Sequence, residues 1–145
     1  MTLKYGSLFA LIIAVFGIVY LIKQEHIFSI NPVAIGIQIV AVGLMIWSRI
    51  TFGLRSFHAA ANTTEGELVT KGPYSVLRHP IYASLIYFFL SCVISYPVIE
   101  TIAAVGLITT GLFARMLIEE HFLLANYPEY AGYKKRTKRV IPFIF

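Results

Sequence analysis

Gly72-Pro73-Tyr74-Ser75-Val76-Leu77-Arg78-His79-Pro80-Ile81-Tyr82 is the stretch that decides how this chain is read. Arg78 and His79 stand directly before an apolar run. Pro80 suits the first turn of a helix, where a missing N–H leaves no bond unmade. A polar pair at the mouth of an apolar helix marks a place with water on one side and hydrocarbon on the other. A second polar cluster, Arg115, Glu119, Glu120 and His121, closes a later apolar run. Two charged clusters at the ends of a hydrophobic hairpin make the best candidate for an active site.

Working outward, composition speaks against a soluble globular domain: the 145 residues are 58% hydrophobic and only 13% charged. Four apolar runs stand out. Residues 5–22 carry no charge, enough at ~1.5 Å per residue to nearly cross a bilayer core of ~30 Å. Residues 32–48 carry Gln38 as their one strongly polar side chain. Residues 80–96 and 98–115 follow, with Pro97 between them as a breaker, so they are antiparallel neighbours. Both are short for full spans, and a tight hairpin ending near the far interface is the alternative. The expected fold is an all-α integral membrane protein with about four transmembrane helices, the last two forming a C-terminal helical hairpin.

Charge placement orients the spans. If all four cross, one side holds Lys4, Arg49, Arg55, Lys71, Arg78, Arg115, Lys134, Lys135, Arg136, Lys138 and Arg139, and the other only Lys23. Basic residues collect on the cytoplasmic side, so the expectation is a multi-pass protein with both termini cytoplasmic, in the cell (inner) membrane of a prokaryote. The net charge of +5 thus reflects topology, and no basic–aromatic pattern points to nucleic acid. Leu21-Ile22-Lys23-Gln24 offers no small-residue cleavage site, so the first run reads as a retained span. Cys92 stands alone inside the third run, which excludes a disulfide framework and reads as a small buried hydrophobe.

The chain reads as one domain over 1–145: two N-terminal spans in 1–54, a cytoplasmic loop 55–79, a helical hairpin 80–117, and a cytoplasmic C-terminal helix and tail in 118–145. Within the loop, residues 62–67 read as mobile, and 68–70 as a short extended piece before a turn at 71–74. Beyond Arg115 the helix is expected to continue to about Asn126 and to stop at Pro128. Tyr127, Tyr130 and Tyr133 suit an interfacial turn with rings at headgroup depth. The basic tail 134–139 suits anionic lipid, and 142–145 could fold back on the bundle.

Arg115 and Glu119 lie four apart on one helix face, with Glu120 about 100° round. The plainest reading is a surface ion pair, with Arg115 snorkelling to the interface. His79 alone reads as an N-cap-like residue, Tyr74 and Tyr82 as belt aromatics, and Trp47 as an interfacial anchor. His79, His121, Glu119 and Glu120 lack the helix-spaced histidine pair of known zinc helices, so no metal is expected. No glycine-rich phosphate loop or Rossmann fingerprint is present.

Taken together, Gly72-Pro73-Tyr74, Arg78-His79-Pro80-x-Tyr82, Glu119-Glu120-x-x-Leu123 and the closing Tyr130-x-x-Tyr133 to Ile141-Pro142 resemble one family. It is the isoprenylcysteine carboxyl methyltransferase family of membrane methyltransferases, related to the phospholipid methyltransferases. The resemblance covers about residues 66–145. It implies S-adenosylmethionine (S-adenosyl-L-methionine) as cofactor, in a cytoplasmic pocket built from the loop before residue 80, the start of the following helix and the C-terminal helix. Leu68 and Val69 would line the adenosine side, Tyr74 would touch the cofactor, and His79, Pro80 and Tyr82 would form its floor. Glu119 matches the glutamate that contacts the cofactor. Arg115 matches the arginine that orients the methyl acceptor, which makes it the catalytic and substrate-binding residue. Two departures stand out: many members have His at the place of Gly66 and Gly at the place of Ser84. The shorter N-terminal region points towards a bacterial or archaeal member.

The implied partner is a lipophilic acceptor, a small molecule or a lipidated one, drawn from membrane lipid. Arg115 tilts the acceptor towards a carboxylate or other anionic oxygen, which a guanidinium holds in a forked geometry. Two other readings stand beside it. One is an NADPH-dependent sterol-type membrane reductase, which shares an Arg-His-Pro-like step; the other is a non-catalytic membrane protein of the same fold. The doubled Glu119-Glu120 favours the methyltransferase.

Overall fold

The structure is a computed structural model that describes residues 2–53 and 68–145. The expected mobile segment 62–67 and the departure at Gly66 lie outside the described residues. Within them the chain forms α1 (Thr2–Lys23), α2 (Pro32–Phe52), a 3₁₀ turn (Gly72–Ser75), α3 (Pro80–Ser95), α4 (Ile99–Asn126) and α5 (Tyr130–Arg136). The all-helical expectation holds. Segments α1, α2 and α4 are each long and apolar enough to cross a membrane, and α3 is a shorter apolar helix.

Local chemistry sets the helix ends. Asn31 caps α2, its Oδ1 accepting from the Val33 and Ala34 amides at 2.9 and 3.4 Å, with Pro32 in the first turn. Pro80 opens α3 in the same way. Pro97 separates α3 from α4, and α4 then runs unbroken past Arg115 to Asn126, two residues short of Pro128.

The helices lie in the order α1, α4, α3, α2, each packed against the next. Small residues bring α1 and α4 close together: Ala10, Ala14 and Ala104 are buried. A Cβ added at Gly111 would lie 2.5 Å from the Ala10 carbonyl oxygen, and one at Gly17 would lie 2.7 Å from that of Ala104. Lipid is as apolar as leucine, so helices in a membrane gain by close backbone approach, which small residues permit. The outward faces carry Phe9, Phe16, Ile39, Val40 and Ile50. Between the far halves of α3 and α4 runs an apolar groove of about 620 Å³, lined by Leu90, Val93, Ile94, Ile102 and Gly106 among others.

At the far end, the loop between α1 and α2 is tied to the α3–α4 turn. The His26 ring stacks on Tyr96 at 4.2 Å, and its Nδ1 lies 2.8 Å from the Thr101 hydroxyl. Gln38, the polar residue inside α2, accepts from the Ser29 amide at 3.1 Å and donates to the Ile27 carbonyl at 3.0 Å. It thereby satisfies loop backbone that hydrocarbon could not. Buried Cys92 packs beside it, as expected of a small hydrophobe.

At the near end the C-terminal segment returns across the start of α3. The Arg78 and His79 amides donate to the Lys138 and Arg139 carbonyls at 2.6 and 3.1 Å, and Lys138 N donates to Val76 O at 3.0 Å. The tail runs parallel to 76–79 through the Leu77–Lys138 bridge. Farther on, the Tyr87 hydroxyl donates to the Val140 carbonyl, and the Phe145 ring stacks on Phe113. The expected fold-back of the last residues is present.

Glu120 joins these pieces. Its carboxylate takes Arg78 Nε at 3.0 Å, Arg139 Nη2 at 3.1 Å and Lys134 Nζ at 3.8 Å, and His79 Nε2 lies 3.3 Å away. Arg78 also donates to the Lys134 and Thr137 carbonyls. This docking corrects one expectation. Tyr130 and Tyr133 are 1% and 4% exposed, so they are not headgroup aromatics; α5 lies against the 72–79 segment, and the Tyr133 hydroxyl donates to the Tyr74 carbonyl at 2.7 Å.

Two expected outcomes follow from this packing. In detergent-solubilised protein, Gly111→Val should destabilise by about 1–3 kcal/mol through overpacking, whereas Gly106→Ala, where an added Cβ meets nothing within 4 Å, should be neutral or stabilising. Thermal melts of the two variants check this, and an unchanged Gly111→Val melt would refute the close approach of α1 to α4. Glu120→Ala strips the buried cations of their counter-charge and should destabilise by about 3–5 kcal/mol. Limited proteolysis should then cut within 134–141 well before the parent protein is cut. Parent-like resistance would mean that the tail is held without Glu120.

Candidate functional site

The first turn of α3 faces the near half of α4, and there the two sequence clusters meet. Arg115 and Glu119 share one face of α4, as a spacing of four dictates. Tyr82, projecting from α3, stands between them. Its phenol accepts from Arg115 Nε at 2.9 Å and donates to Glu119 Oε2 at 2.7 Å. A hydroxyl can do both at once, which neither charged group could.

Arg115 is 8% exposed, so it does not snorkel to a surface. Removing a guanidinium from water is expensive unless it is bonded, which is why a buried arginine within an apolar helix points to function. His79 is buried as well, and its side chain does not cap α3; it reaches Glu120, with its ring edge-on to Tyr82 at 5.6 Å.

Tyr74 sits on the 3₁₀ turn and is buried, so it too is no belt aromatic; its ring packs on Phe52 at the end of α2, 5.5 Å away. Pro80 is buried beside it in sequence order at the opening of α3. Leu68 and Val69 are half-buried in the irregular segment that leads to this turn, where the sequence suggested an extended piece. Tyr74, His79, Pro80, Tyr82, Arg115 and Glu119 thus gather at the near ends of α3 and α4.

Electrostatics keep the phenols outside the spans protonated. Burial pushes the Tyr74 hydroxyl well above its ordinary range; the charge of Glu119 and the neighbouring Tyr133 add to this, and Arg49 opposes it. Burial likewise raises Tyr133 to about 12. Tyr130 is raised by burial first and by the Glu120 charge second, with Arg78 opposing. All three are therefore neutral hydrogen-bond donors near pH 7.

Sequence reasoning placed Arg78 and Glu120 in the candidate clusters without naming their tasks, and read Tyr130 and Tyr133 as interfacial aromatics. Glu120 turns about 100° away from Glu119 and faces the tail, so the adjacent glutamates serve different neighbours. The one available signal was the pairing of an acidic doublet with a basic tail. The order of the helices, which decides what Glu120 meets, is not written in either.

Among the described residues no group of three or more His, Cys, Asp and Glu side chains could hold a metal ion. The site is a chain of guanidinium, phenol and carboxylate with the His79 ring edge-on to the phenol, placed where apolar helices end.

The nickel-cobalt-cadmium resistance protein NccN of Alcaligenes xylosoxydans xylosoxydans is 38% identical over 80 residues, covering 52% of this chain and 36% of that protein. The cobalt-zinc-cadmium resistance protein CzcN of Cupriavidus metallidurans is 27% identical over 114 residues, covering 78% of this chain and 51% of that protein. The chain therefore spans about half the length, or less, of the curated relatives it matches. No solved structure matches it significantly. The sequence model of the phospholipid methyltransferase family matches residues 31–130, which takes in α2, α3, α4 and every residue of the guanidinium–phenol–carboxylate chain. With more than half of its length matched, the chain belongs to the phospholipid methyltransferase family.

Proposed function

We propose that the chain transfers a methyl group from S-adenosylmethionine to a lipophilic acceptor held at the membrane, the acceptor atom being a carboxylate or other anionic oxygen. The observation that carries this reading is the chain from buried Arg115 through half-buried Tyr82 to half-buried Glu119, inside the family's matched region. S-adenosylmethionine, when bound, supplies an electrophilic methyl carried on a sulfonium cation.

The residues fit such a cofactor. A sulfonium is attracted by an aromatic face and by a carboxylate, and Tyr82 and Glu119 offer both side by side. Among the described residues the buried Tyr130 hydroxyl has no hydrogen-bond partner. On this reading His79, Pro80 and Tyr82 form the floor, Tyr74 touches the cofactor, and Leu68 and Val69 line its adenosine side.

On this reading Arg115 is the catalytic residue that binds the acceptor. A carboxylate is already ionised at pH 7, so its methylation needs alignment more than a general base. A guanidinium carries five donors in a fixed fork, and donation of Nε to Tyr82 uses one of them. Tyr82 in turn fixes the position of Arg115 relative to Glu119, so the acceptor side and the cofactor side are held in register. An amine acceptor would have to lose a proton, and a guanidinium would hinder the approach of its cationic form.

The placement also supports a topology. Arg115, Glu119 and the basic tail lie at one end of the bundle, and the far end holds the loop 24–31. We read the protein as multi-pass, with both termini and the site on the cytoplasmic side of the cell membrane. A cysteine introduced at position 138 should label from the cytoplasm, and one at position 25 from the opposite side. Labelling of both from one side would overturn this arrangement.

Equilibrium binding and turnover together test the chemistry. His79→Ala and Glu119→Ala should each weaken S-adenosylmethionine binding by roughly 1–3 kcal/mol. Arg115→Ala should leave that binding near the parent value while methyl transfer falls by orders of magnitude, and Arg115→Lys should restore little because an ammonium has no fork. Full turnover by Arg115→Ala would remove the case for an anionic acceptor. A parent protein that bound NADPH and not S-adenosylmethionine would sink the methyltransferase reading.

A further inference from the structure

The C-terminal segment divides into an inner and an outer set of side chains. Lys134 and Arg139 reach Glu120, while Tyr133, Thr137 and Val140 are buried. Lys135, Arg136 and Lys138 face outward, and among the described residues they pair with no carboxylate. Just beyond them Ile141, Phe143 and Ile144 are 43%, 82% and 76% exposed. Contiguous apolar surface of this kind, rimmed by charge, marks a place where something other than water is met.

The path of the segment says what that is. Lys138 is level with Leu77, before α3 begins. Val140 is already bonded by the hydroxyl of Tyr87, which lies about 10 Å along α3 from Pro80. Phe145 stacks on Phe113, within the uncharged run of α4 between Glu100 and Arg115. The chain therefore descends from the charged end of the bundle to the uncharged flank of α3 and α4. Its backbone suits a place where no water is at hand to bond. The Val140 and Ile141 amides donate to the Phe145 carbonyl at 2.9 and 2.7 Å, and the Ile144 and Phe145 amides to the Ile141 carbonyl at 3.3 and 3.1 Å. Pro142 has no N–H to satisfy. Phe143 takes a φ of 65°, rare for a residue with a side chain, and the turn so closed leaves Phe143 and Ile144 on its outside.

We propose that residues 135–145 are a lipid-binding element that dips into the bilayer, with Phe143 and Ile144 among acyl chains and Lys135, Arg136 and Lys138 on the headgroups of anionic phospholipid. The proposal rests on the multi-pass reading and is independent of methyl transfer. Charge selects the lipid: three cations with no carboxylate beside them favour a headgroup of net negative charge over one that carries its own cation. Depth selects lipid over a soluble partner, which would have to reach Phe143 and Ile144 beside Tyr87 and Phe113, on the apolar flank. The element is laid parallel to 76–79 through the Leu77–Lys138 bridge and the bond from His79 N to Arg139 O. Lipid that holds the tail therefore also holds the segment that carries His79 into the site.

The test uses the full chain carrying Phe143→Cys, labelled with an environment-sensitive fluorophore, with the parent labelled in parallel to report any reaction at buried Cys92. In phosphatidylcholine nanodiscs the label should be quenched by nitroxides on the acyl chains and shielded from aqueous iodide. Iodide quenching as strong as that of a label at Lys138→Cys overturns the embedding. Concentration-dependent self-quenching in detergent would assign the tip to a second copy and overturn the lipid. The headgroup is tested by titrating the labelled protein in detergent with dioctanoyl phosphatidylglycerol and with dioctanoyl phosphatidylcholine. The triple variant Lys135→Gln, Arg136→Gln, Lys138→Gln should bind phosphatidylglycerol about tenfold more weakly at low salt, since each cation near an anionic headgroup counts for about fivefold and one lipid meets one or two of them. Its phosphatidylcholine affinity and ligand-free melting temperature should match the parent's, and high salt should erase the parent's preference. A parent that binds both lipids equally, or a triple variant with unchanged phosphatidylglycerol affinity, overturns the anionic-lipid assignment. A lowered ligand-free melting temperature reassigns the three cations to folding and overturns it as well. Loss of the methyltransferase reading would leave every one of these results unchanged.

Discussion

The near end of the molecule depends on one buried carboxylate, that of Glu120. It meets Arg78 and His79 from the segment before α3, and Lys134 and Arg139 from the C-terminal segment. Ion pairs of this kind add little net stability, because the charges must first leave water. Their contribution lies in specificity: an alternative arrangement of the tail would leave buried charge unpaired. By fixing the tail against residues 76–79, Glu120 also fixes α5, and with it Tyr133 on the Tyr74 and Leu77 carbonyls. Glu119, one residue away, points elsewhere on the helix and is left to face Tyr82.

The rest of the bundle obeys the rules of a solvent without water. Backbone groups in the far loop are satisfied by the side chains of Gln38, Ser95 and Tyr96, because hydrocarbon would not satisfy them. Close contact between α1 and α4 comes from Gly17, Gly111 and neighbouring alanines, since apolar bulk alone does not draw helices together in lipid. The two ends have different tasks. Far from the site, short polar contacts close the loops; near the site, ion pairs and tyrosine hydroxyls tie the C-terminal segment to the start of α3.

Much of this was legible in the sequence. Uninterrupted apolar runs, broken at Pro97 and Pro128 and opened at Pro32 and Pro80, give the helices and their ends nearly to the residue, because proline acts locally. The spacing of Arg115 and Glu119 gives a shared face, and the Arg78-His79-Pro80-x-Tyr82 step places a polar pair opposite it. What could not be read was set by long-range packing. Tyr130 and Tyr133 have the spacing of interfacial aromatics, and only the parallel docking of 138 beside 77 buries them. Arg78 looked like part of a ligand site and proves to be a tie between Glu120 and the tail carbonyls. The order α1, α4, α3, α2 is likewise invisible to periodicity, which tells how a helix is coated but not which neighbour it chooses.

The cost of burying charge also bears on the proposed chemistry. Arg115 lies where a low dielectric strengthens every charge interaction and makes each unpaired charge costly. A neutral phenol set against its Nε holds the guanidinium in place without cancelling its charge. A carboxylate in the place of Tyr82 would neutralise it. Tyr82 passes the contact on to Glu119, whose negative charge suits a cationic cofactor. On the proposed reading, the phenol lets one helix face present a positive group to the acceptor and a negative group to the sulfonium, one turn apart. Replacing Tyr82 by phenylalanine would retain the ring and remove both bonds, leaving two buried charges that would do best by closing on each other across that one turn. The separation of charges that the reaction needs therefore rests on a hydroxyl that carries no charge itself.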